Sequence, residues 1–205
     1  MCAGARRRAV GVLSVIASLA AAAIAAGQPA ARPVNERGPA DAPVTVVEFC
    51  SYDSKACSRL DIVLGAVLPE FGDSVRLVFR HVPADDTPAA SLRYRAALAA
   101  GQQGQFWPMH EILLANRQRA TPADIPAMAH QLGLDAGRFR TDLDSAETIA
   151  AAKSDQDEAA AQNVSTTPAL IVNGRAVAAI GEAKDLRAAI RLALPARWVP
   201  SKKYP

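Results

Sequence analysis

Apolar residues form two short runs on either side of a stretch with helical spacing. Residues 44–49 are β-branched or apolar apart from Glu48, which is typical of a buried strand. Residues 75–81 alternate like a second strand and are followed by Pro83. The apolar positions between the two runs recur at helical spacing, and they are Leu60, Val63, Leu64, Val67, Leu68 and Phe71. Residues 44–83 are therefore predicted to form one βαβ unit with a right-handed crossover.

A long segment with the start and stop signals of several helices follows. Thr-Pro pairs suit the N-cap and first turn of a helix, and glycines suit its end. These signals are Thr87-Pro88, Thr121-Pro122, Gly101 and Gly133. We therefore predict a helical insertion over about residues 84–162.

The last part of the chain is predicted to be a β-hairpin followed by a helix. Residues 169–172 and 176–180 are apolar runs joined by Asn173-Gly174, which is the strongest short hairpin signal. An amphipathic pattern then runs from Glu182 to about Leu194. The predicted order of elements is βαβ, helices, ββα, which places the chain in the α/β class.

The N-terminus has the pattern of a secretory signal peptide. Arg6-Arg7-Arg8 precede an apolar run over residues 9–26 that contains the small-residue pattern Ala23-Ile24-Ala25. The alternative is an uncleaved membrane anchor, since a run of this length could just span a bilayer. The next segment has several prolines and no hydrophobic period, which is typical of a flexible linker. The predicted divisions of the chain are a signal peptide over residues 1–25, a linker over 26–41, a domain over 42–195 and a tail over 196–205.

Excess positive charge is concentrated in the predicted signal. The chain has 23 Lys and Arg against 20 Asp and Glu, and the predicted signal holds three of these arginines and no acid. The remaining chain is nearly neutral. The pI near 8.9 therefore gives no support for binding to nucleic acid or to an acidic membrane.

Two cysteines remain once Cys2 is removed with the predicted signal. Cys50 and Cys57 would then lie in an oxidising compartment, as a structural disulfide, an exchangeable redox pair or two unpaired thiols. A bridge would close a loop of about eight residues and contribute about 2.5 kcal/mol to the free energy of unfolding. The three histidines do not lie at metal-ligand spacings, so neither a metal site nor a cofactor is predicted.

Three local motifs accompany this order of elements. They are residues 38–49, which lead into the first strand, the helical segment 106–113, and Thr166-Thr167-Pro168-Ala169 ahead of the hairpin. Together they resemble the DsbA-like branch of the thioredoxin superfamily, over residues 38 to about 195. The resemblance implies a thioredoxin fold with an inserted all-helical domain. It also implies that Thr167-Pro168 is a cis-proline loop that binds extended polypeptide by strand addition, with Tyr52 as a further substrate-binding residue.

The sequence departs from that family at the active-site position. In the family, an acidic strand residue is followed six positions later by the first cysteine of a Cys-x-x-Cys motif, and counting from Glu48 reaches Ser54. The motif here is Ser54-Lys55-Ala56-Cys57, so only the second cysteine position is kept. A serine hydroxyl stays protonated at neutral pH even at a helix N-terminus. Ordinary dithiol exchange through residues 54 and 57 is therefore not expected.

The candidate catalytic residues are Cys57, Ser54, Glu48 and Cys50. Ser54 is either a helix N-cap worth about 1 kcal/mol, or a hydroxyl that binds a substrate thiolate, as in the kappa-class glutathione transferases that the motif also resembles. The resemblance implies that Glu48 accepts the proton of Cys57. Any remaining redox chemistry would run through Cys57, with Cys50 as a candidate partner.

The favoured interpretation is an exported, periplasmic or secreted protein of the thiol–disulfide oxidoreductase family with an atypical site. Such a protein would bind extended or unfolded polypeptide, and a membrane redox partner is a further expectation. One alternative is a redox-inactive module for peptide binding or assembly. The other is a glutathione-binding, kappa-transferase-like protein that uses Ser54.

Overall fold

The computed structural model describes Met1 and residues 34–83, 88–117, 120–178 and 181–196. Contacts between residues divide the chain into two units, Met1–Ala31 and Arg32–Pro205. Met1 is the one described residue of the first unit, so the predicted signal peptide and its membrane-anchor alternative lie outside the described residues. Within the part of the chain that is described, none of the helices is both long enough and apolar enough to cross a bilayer.

A five-stranded sheet with the strand order β1-β3-β2-β4-β5 forms the centre of the second unit. Its strands are β1 Glu36–Arg37, β2 Val44–Cys50, β3 Val75–His81, β4 Ala169–Val172 and β5 Arg175–Ala176. β2 and β3 are parallel, and the other neighbouring pairs are antiparallel. Helix α1, Lys55–Val67, and a 3₁₀ segment, Leu68–Ser74, connect β2 to β3. The predicted βαβ unit with parallel strands is therefore confirmed.

Among the described residues, five helices lie between β3 and β4 in the sequence, and one follows β5. The five are α2 Pro88–Gly101, α3 Phe106–Ala115, α4 Ile125–Gln131, α5 Ala136–Leu143 and α6 Ala146–Ala161, and the last is α7 Ala183–Ala193. Helix α2 packs against α3, α4, α5 and α6, while α6 also packs on β3. The α/β class and the thioredoxin fold with a helical insertion are confirmed.

One predicted helix start is wrong. Thr121-Pro122 has the pattern of an N-cap and first turn, but α4 begins at Ile125 with Asp124 as its N-cap. Thr121 instead lies in a turn in which its backbone N–H and its hydroxyl both donate to Oδ2 of Asp124, at 2.9 and 2.5 Å. The Asp124 carboxylate thus accepts the hydrogen-bond donors of the turn before the helix. This turn competes with the helix, and α4 starts three residues later than predicted.

The hairpin occurs where the sequence predicts it, but its second strand is shorter. Asn173 and Gly174 have positive φ angles of 46° and 77°, as a two-residue hairpin turn of this type requires. β5 covers Arg175–Ala176 instead of residues 176–180, although the Val177 N–H still donates to Leu170 O at 2.9 Å. The chain bends at Ala178, and residues 179 and 180 lie outside the described residues.

The sheet begins earlier than the predicted Val44. β1 lies within the segment predicted to be a flexible linker, and it pairs with β3. Asn35 is buried, and its side-chain amide donates to Phe79 O at 2.8 Å and to the Tyr94 hydroxyl at 3.3 Å. After β1, the Cα of Gly38, at φ 93°, passes so close to Val75 O that a Cβ there would lie 2.3 Å from that oxygen. These contacts are long-range, so the polar local sequence does not reveal them.

The two faces of β2 pack against different helices. Val44, Val46 and Cys50 belong to the main hydrophobic core, together with α1 residues such as Leu60 and Leu64. Phe49, on the opposite face, packs with Ala159 of α6 and Ile171 of β4. Because side chains alternate along a strand, Glu48 shares the α1-facing side with Cys50.

Candidate functional site

Cys50 and Cys57 form a disulfide in the structure. Cys50 is the last residue of β2, and Cys57 lies in the first turn of α1. Their Cα atoms are 5.7 Å apart, within the range that a disulfide can span. Both residues have 0% of their surface exposed, and the Ser51 N–H donates to Cys57 Sγ at 3.3 Å. The observed bridge contradicts the alternative of two unpaired thiols, fits both a structural disulfide and an exchangeable redox pair, and is sealed from solvent.

Ser54 is the N-cap of α1. Its backbone is extended, at φ −83° and ψ 119°, and its hydroxyl oxygen accepts the Cys57 N–H at 3.3 Å. The Ser54 carbonyl oxygen also accepts the Ser58 N–H at 3.2 Å. The helix-cap interpretation of this residue is therefore confirmed. The thiolate-binding interpretation remains a prediction.

Glu48 is fully buried on the α1-facing side of β2. Neither of its carboxylate oxygens has a hydrogen-bond partner among the described residues. Burial raises the pKa of Glu48 to about 8; the nearby Asp61 carboxylate adds to this rise, while the Arg37 guanidinium opposes it. Because burial disfavours the charged form, the carboxyl group holds a proton at neutral pH. The inward orientation suggested by the sequence is observed.

Tyr52 lies in the core. It is fully buried, and its hydroxyl is 3.0 Å from Nδ1 of His110. Its ring lies 5.5 Å from the Phe79 ring and 5.4 Å from the His81 ring. The assignment of Tyr52 to substrate contact stays a prediction.

His110 also lies in this core and is fully buried. Its Nε2 is 3.6 Å from Oδ1 of Asp61, which is beyond a hydrogen bond. Burial lowers the pKa of His110, and the Asp61 carboxylate opposes this shift. His81 stacks on Tyr94 with 4.7 Å between ring centroids, and burial lowers the pKa of His81 to about 3. Both imidazoles are therefore neutral packing groups at pH 7.

A second buried carboxyl group, that of Asp155 on α6, is not predicted from the sequence. It accepts hydrogen bonds from the Tyr94 hydroxyl and from the His81 backbone N–H, the latter at 3.0 Å, and lies 3.4 Å from Arg80 Nε. Burial raises the pKa of Asp155 to about 6 against the opposing effect of these partners. A signal was present, because Thr148, Ala152, Asp155 and Ala159 are the buried positions of α6 and recur at helical spacing.

A groove lies beside the first turns of α1. The peptide bond between Thr167 and Pro168 is cis, and both residues are half-buried. Pro168 and Gly181 line the groove together with α1, and its volume is about 470 Å³. The side chain of Ile62 stands at its edge with 71% of its surface exposed. The α1 residues that line the groove are Ala56, Arg59, Leu60, Ile62 and Val63.

Metal ligands do not cluster in the described part of the chain. No group of three or more His, Cys, Asp or Glu residues there is arranged to hold a metal ion.

Comparison with known proteins places this fold and site in a family. A family model described as "Thioredoxin" matches residues 33–191, so the chain belongs to the thioredoxin family. Its fold is DsbA-like, because the similar solved structures include DsbA proteins, which at under 25% identity show the fold alone. The thioredoxin-like oxidoreductase from Silicibacter pomeroyi DSS-3 is 28% identical, with a TM-score of 0.70 over 77% of this chain and 90% of that one. Oxidised BdbD from Bacillus subtilis is 22% identical, with a TM-score of 0.70 over 82% of this chain and 96% of that one.

A curated relative is much longer than this chain. "Na(+)/H(+) antiporter NhaA 3" from Salinispora tropica is 41% identical over 140 residues, which are 68% of this chain and 21% of the antiporter. The chain thus spans about a fifth of the length of that relative. The match covers one part of the antiporter and does not extend the antiporter's activity to this chain.

Proposed function

We propose that this chain is an exported DsbA-like protein that binds extended polypeptide in the groove between α1 and the Thr167-Pro168 turn. The observation that carries the proposal is a contrast in exposure. Ile62, at the edge of the groove, has 71% of its surface exposed, whereas Cys50 and Cys57 have none. The apolar binding surface is open, and the disulfide is closed.

Recognition in such a groove needs an apolar contact and a backbone contact. Ile62 and Val63 supply apolar surface that a side chain of the bound segment can cover. Thr167 lies two residues before the start of β4, so a bound segment can run beside its backbone as an added strand. This mode of binding uses no sulfur atom.

Disulfide turnover is disfavoured at this site for two reasons. Residue 54 has a hydroxyl in place of the attacking thiol, and that oxygen is occupied in capping α1. Exchange also requires a thiolate to reach a disulfide sulfur, and both bridged cysteines are buried. The protein is therefore a polypeptide-binding module in which the disulfide has a structural role.

The proposal is tested with a short fluorescein-labelled peptide with a central Leu-Val pair and neutral flanking residues. We expect Ile62→Ser to weaken binding about 5- to 10-fold, because part of an apolar contact is lost. Ile149→Ser is the matched control, because Ile149 is also exposed, at 49%, but lies on α6. Fluorescence anisotropy provides the two dissociation constants. If Ile62→Ser and wild type bind the peptide equally, the groove is not the binding site.

Disulfide exchange through Cys57 is a second candidate function, and Glu48 favours it. When an incoming thiolate attacks Cys50 Sγ, a mixed disulfide forms and Cys57 Sγ leaves with the electron pair of the broken S–S bond. The buried Glu48 carboxyl, with a pKa raised to about 8 by burial, can then give its proton to that sulfur. Oxidation of a cysteine peptide by wild type, abolished in Cys57→Ser, would support exchange. No turnover by wild type would leave the binding function alone.

A further inference from the structure

Two positive side chains on α1 have no stabilising partner inside the described part of the protein. Lys55 and Arg59 are both exposed, and neither takes part in an ion pair or a side-chain hydrogen bond with another described residue. With Ile62 they form a row at positions i, i+4 and i+7, so all three lie on one side of the helix. Arg59 and Ile62 both line the groove.

The placement of these cations costs the helix stability. Lys55 is the first residue of α1, where the helix dipole favours anions, and the first turn contains no acidic residue. Lys55 and Arg59 are four residues apart, and like charges at this spacing repel each other. The acids that flank these positions in the sequence do not pair with the two cations, since Asp53 is paired with Arg93 and Asp61 makes no ion pair with Lys55 or Arg59. Helix formation therefore does not explain the two charges.

We propose that the groove selects extended segments in which acidic residues accompany the apolar residue that packs on Ile62. This inference rests on the proposed function and adds the class of segment that is bound. An apolar anchor without the acids would still use Ile62. The acids would add contacts to Arg59 and Lys55.

The spacing along α1 defines where those acids should lie. A helix rises 1.5 Å per residue, so Arg59 lies about 4.5 Å and Lys55 about 10.5 Å along the axis from Ile62. An extended segment rises about 3.3 Å per residue, and every second side chain faces the same way. Acids two and four residues from the anchor, about 6.6 and 13 Å away, are within reach of the long Arg59 and Lys55 side chains.

The positions of the two cations on α1 give this preference a direction. Arg59 and Lys55 both lie on the N-terminal side of Ile62. The acids of the bound segment should therefore lie toward the N-terminal end of α1.

Three labelled peptides with one shared Leu-Val centre test the inference. They carry Asp, Asn or Lys at the second and fourth positions from the apolar anchor. We expect wild type to bind the Asp peptide about 2- to 5-fold more tightly than the Asn peptide for each cation engaged, and the Lys peptide most weakly. The difference between the Asp and Asn peptides should shrink as ionic strength rises, because salt screens exposed charges.

Substitutions assign the effect to the two cations. Lys55→Gln with Arg59→Gln should remove the preference for the Asp peptide, so that this variant binds the Asp and Asn peptides with equal affinity. Arg59→Lys should keep most of the preference for the Asp peptide, since the positive charge remains. Lys153→Gln is the matched control, because it removes one exposed positive charge from α6.

The outcomes separate this inference from the proposed function. If wild type binds the Asp and Asn peptides equally, the charge selection is wrong and the groove remains a polypeptide site. If the Lys55→Gln, Arg59→Gln variant keeps the preference, these two cations are not its source and the inference fails. If none of the three peptides binds, both proposals fail.

Discussion

At the scale of single residues, Glu48 stores a proton inside the protein at neutral pH. Its carboxyl group lies on the same side of β2 as Cys50 and has no hydrogen-bond partner among the described residues. An unpaired buried carboxylate is costly, whereas the protonated form is less so. The group is therefore a source of instability that grows as the solution becomes more basic.

The pH dependence of stability tests this. With a pKa raised from 4.5 to about 8, the folded protein holds a proton at Glu48 that the unfolded chain has lost. The stabilising contribution is complete below about pH 4.5 and disappears as the pH rises to about 8. The free energy of unfolding of Glu48→Gln minus that of wild type should increase by about 1 kcal/mol or more from pH 5 to pH 8. Urea unfolding at each pH measures both. Asp155 and His81 titrate in both proteins, so their effects cancel in this comparison. Parallel curves of unfolding free energy against pH would contradict the proton-holding role of Glu48.

The disulfide contributes to stability at the same scale. Cys50 and Cys57 are seven positions apart in sequence, and closing such a loop restricts the unfolded chain. We expect Cys50→Ala to lower the free energy of unfolding by about 2 to 3 kcal/mol. Since either substitution removes the same bond, Cys50→Ala with Cys57→Ala should cost little more than one change alone. An additive loss in urea unfolding would show that packing of the two sulfurs dominates instead.

At the scale of elements, the sequence predicts what is encoded locally. The βαβ unit and the Asn173-Gly174 hairpin follow from hydrophobic period and turn chemistry, and both are present. β1 is missed because its two residues are polar and the β3 residues with which they pair are 42 and 40 positions away in sequence. The Tyr52 hydroxyl contact with His110 depends on how the helical insertion docks onto the sheet, and no local pattern encodes that.

Asp155 connects α6 to β3, and its loss should be costly. Asp155→Ala would leave the Tyr94 hydroxyl and the His81 N–H without their buried acceptor. We expect a loss of about 2 to 4 kcal/mol in the free energy of unfolding. Asp157→Ala, on the same helix, removes an exposed pair with Lys153 and should cost less than about 0.5 kcal/mol. Equal losses from the two changes in urea unfolding would show that Asp155 does not hold α6 to the sheet.

At the scale of the whole molecule, the helical insertion closes the 51–54 loop over the disulfide. Asp53 in that loop pairs with Arg93 of α2, and Arg93 also donates to Ala120 O at 2.8 Å. The Ser58 hydroxyl at the start of α1 donates to Leu114 O of α3 at 3.2 Å. A reductant can reach the sulfurs only when these contacts open, so reduction of the native protein reports local opening.

This gives an expectation for the rate of reduction by dithiothreitol under native conditions. Arg93→Ala removes the tie to Asp53, and we expect it to speed reduction about 5- to 10-fold, as a loss of about 1 kcal/mol in opening free energy would. Arg95→Ala is the matched control, because Arg95 lies on α2 like Arg93. This change breaks the 2.8 Å pair between Arg95 and Asp144, which is away from the loop. Thiol trapping followed over time provides the rates. Identical rates for wild type and Arg93→Ala would show that the loop opens by another route.

The serine cap has a chemical consequence for the bridge beneath it. The Ser54 hydroxyl oxygen accepts the Cys57 N–H. A cysteine at position 54 would therefore place a third sulfur near Cys57, and it could form a disulfide with Cys57 in place of Cys50. Two isomeric bridges would then interconvert, one tying the strand to the helix and the other contained within the helix turn. With serine at position 54 the second bridge cannot form, and the first turn of α1 stays bonded to the end of β2.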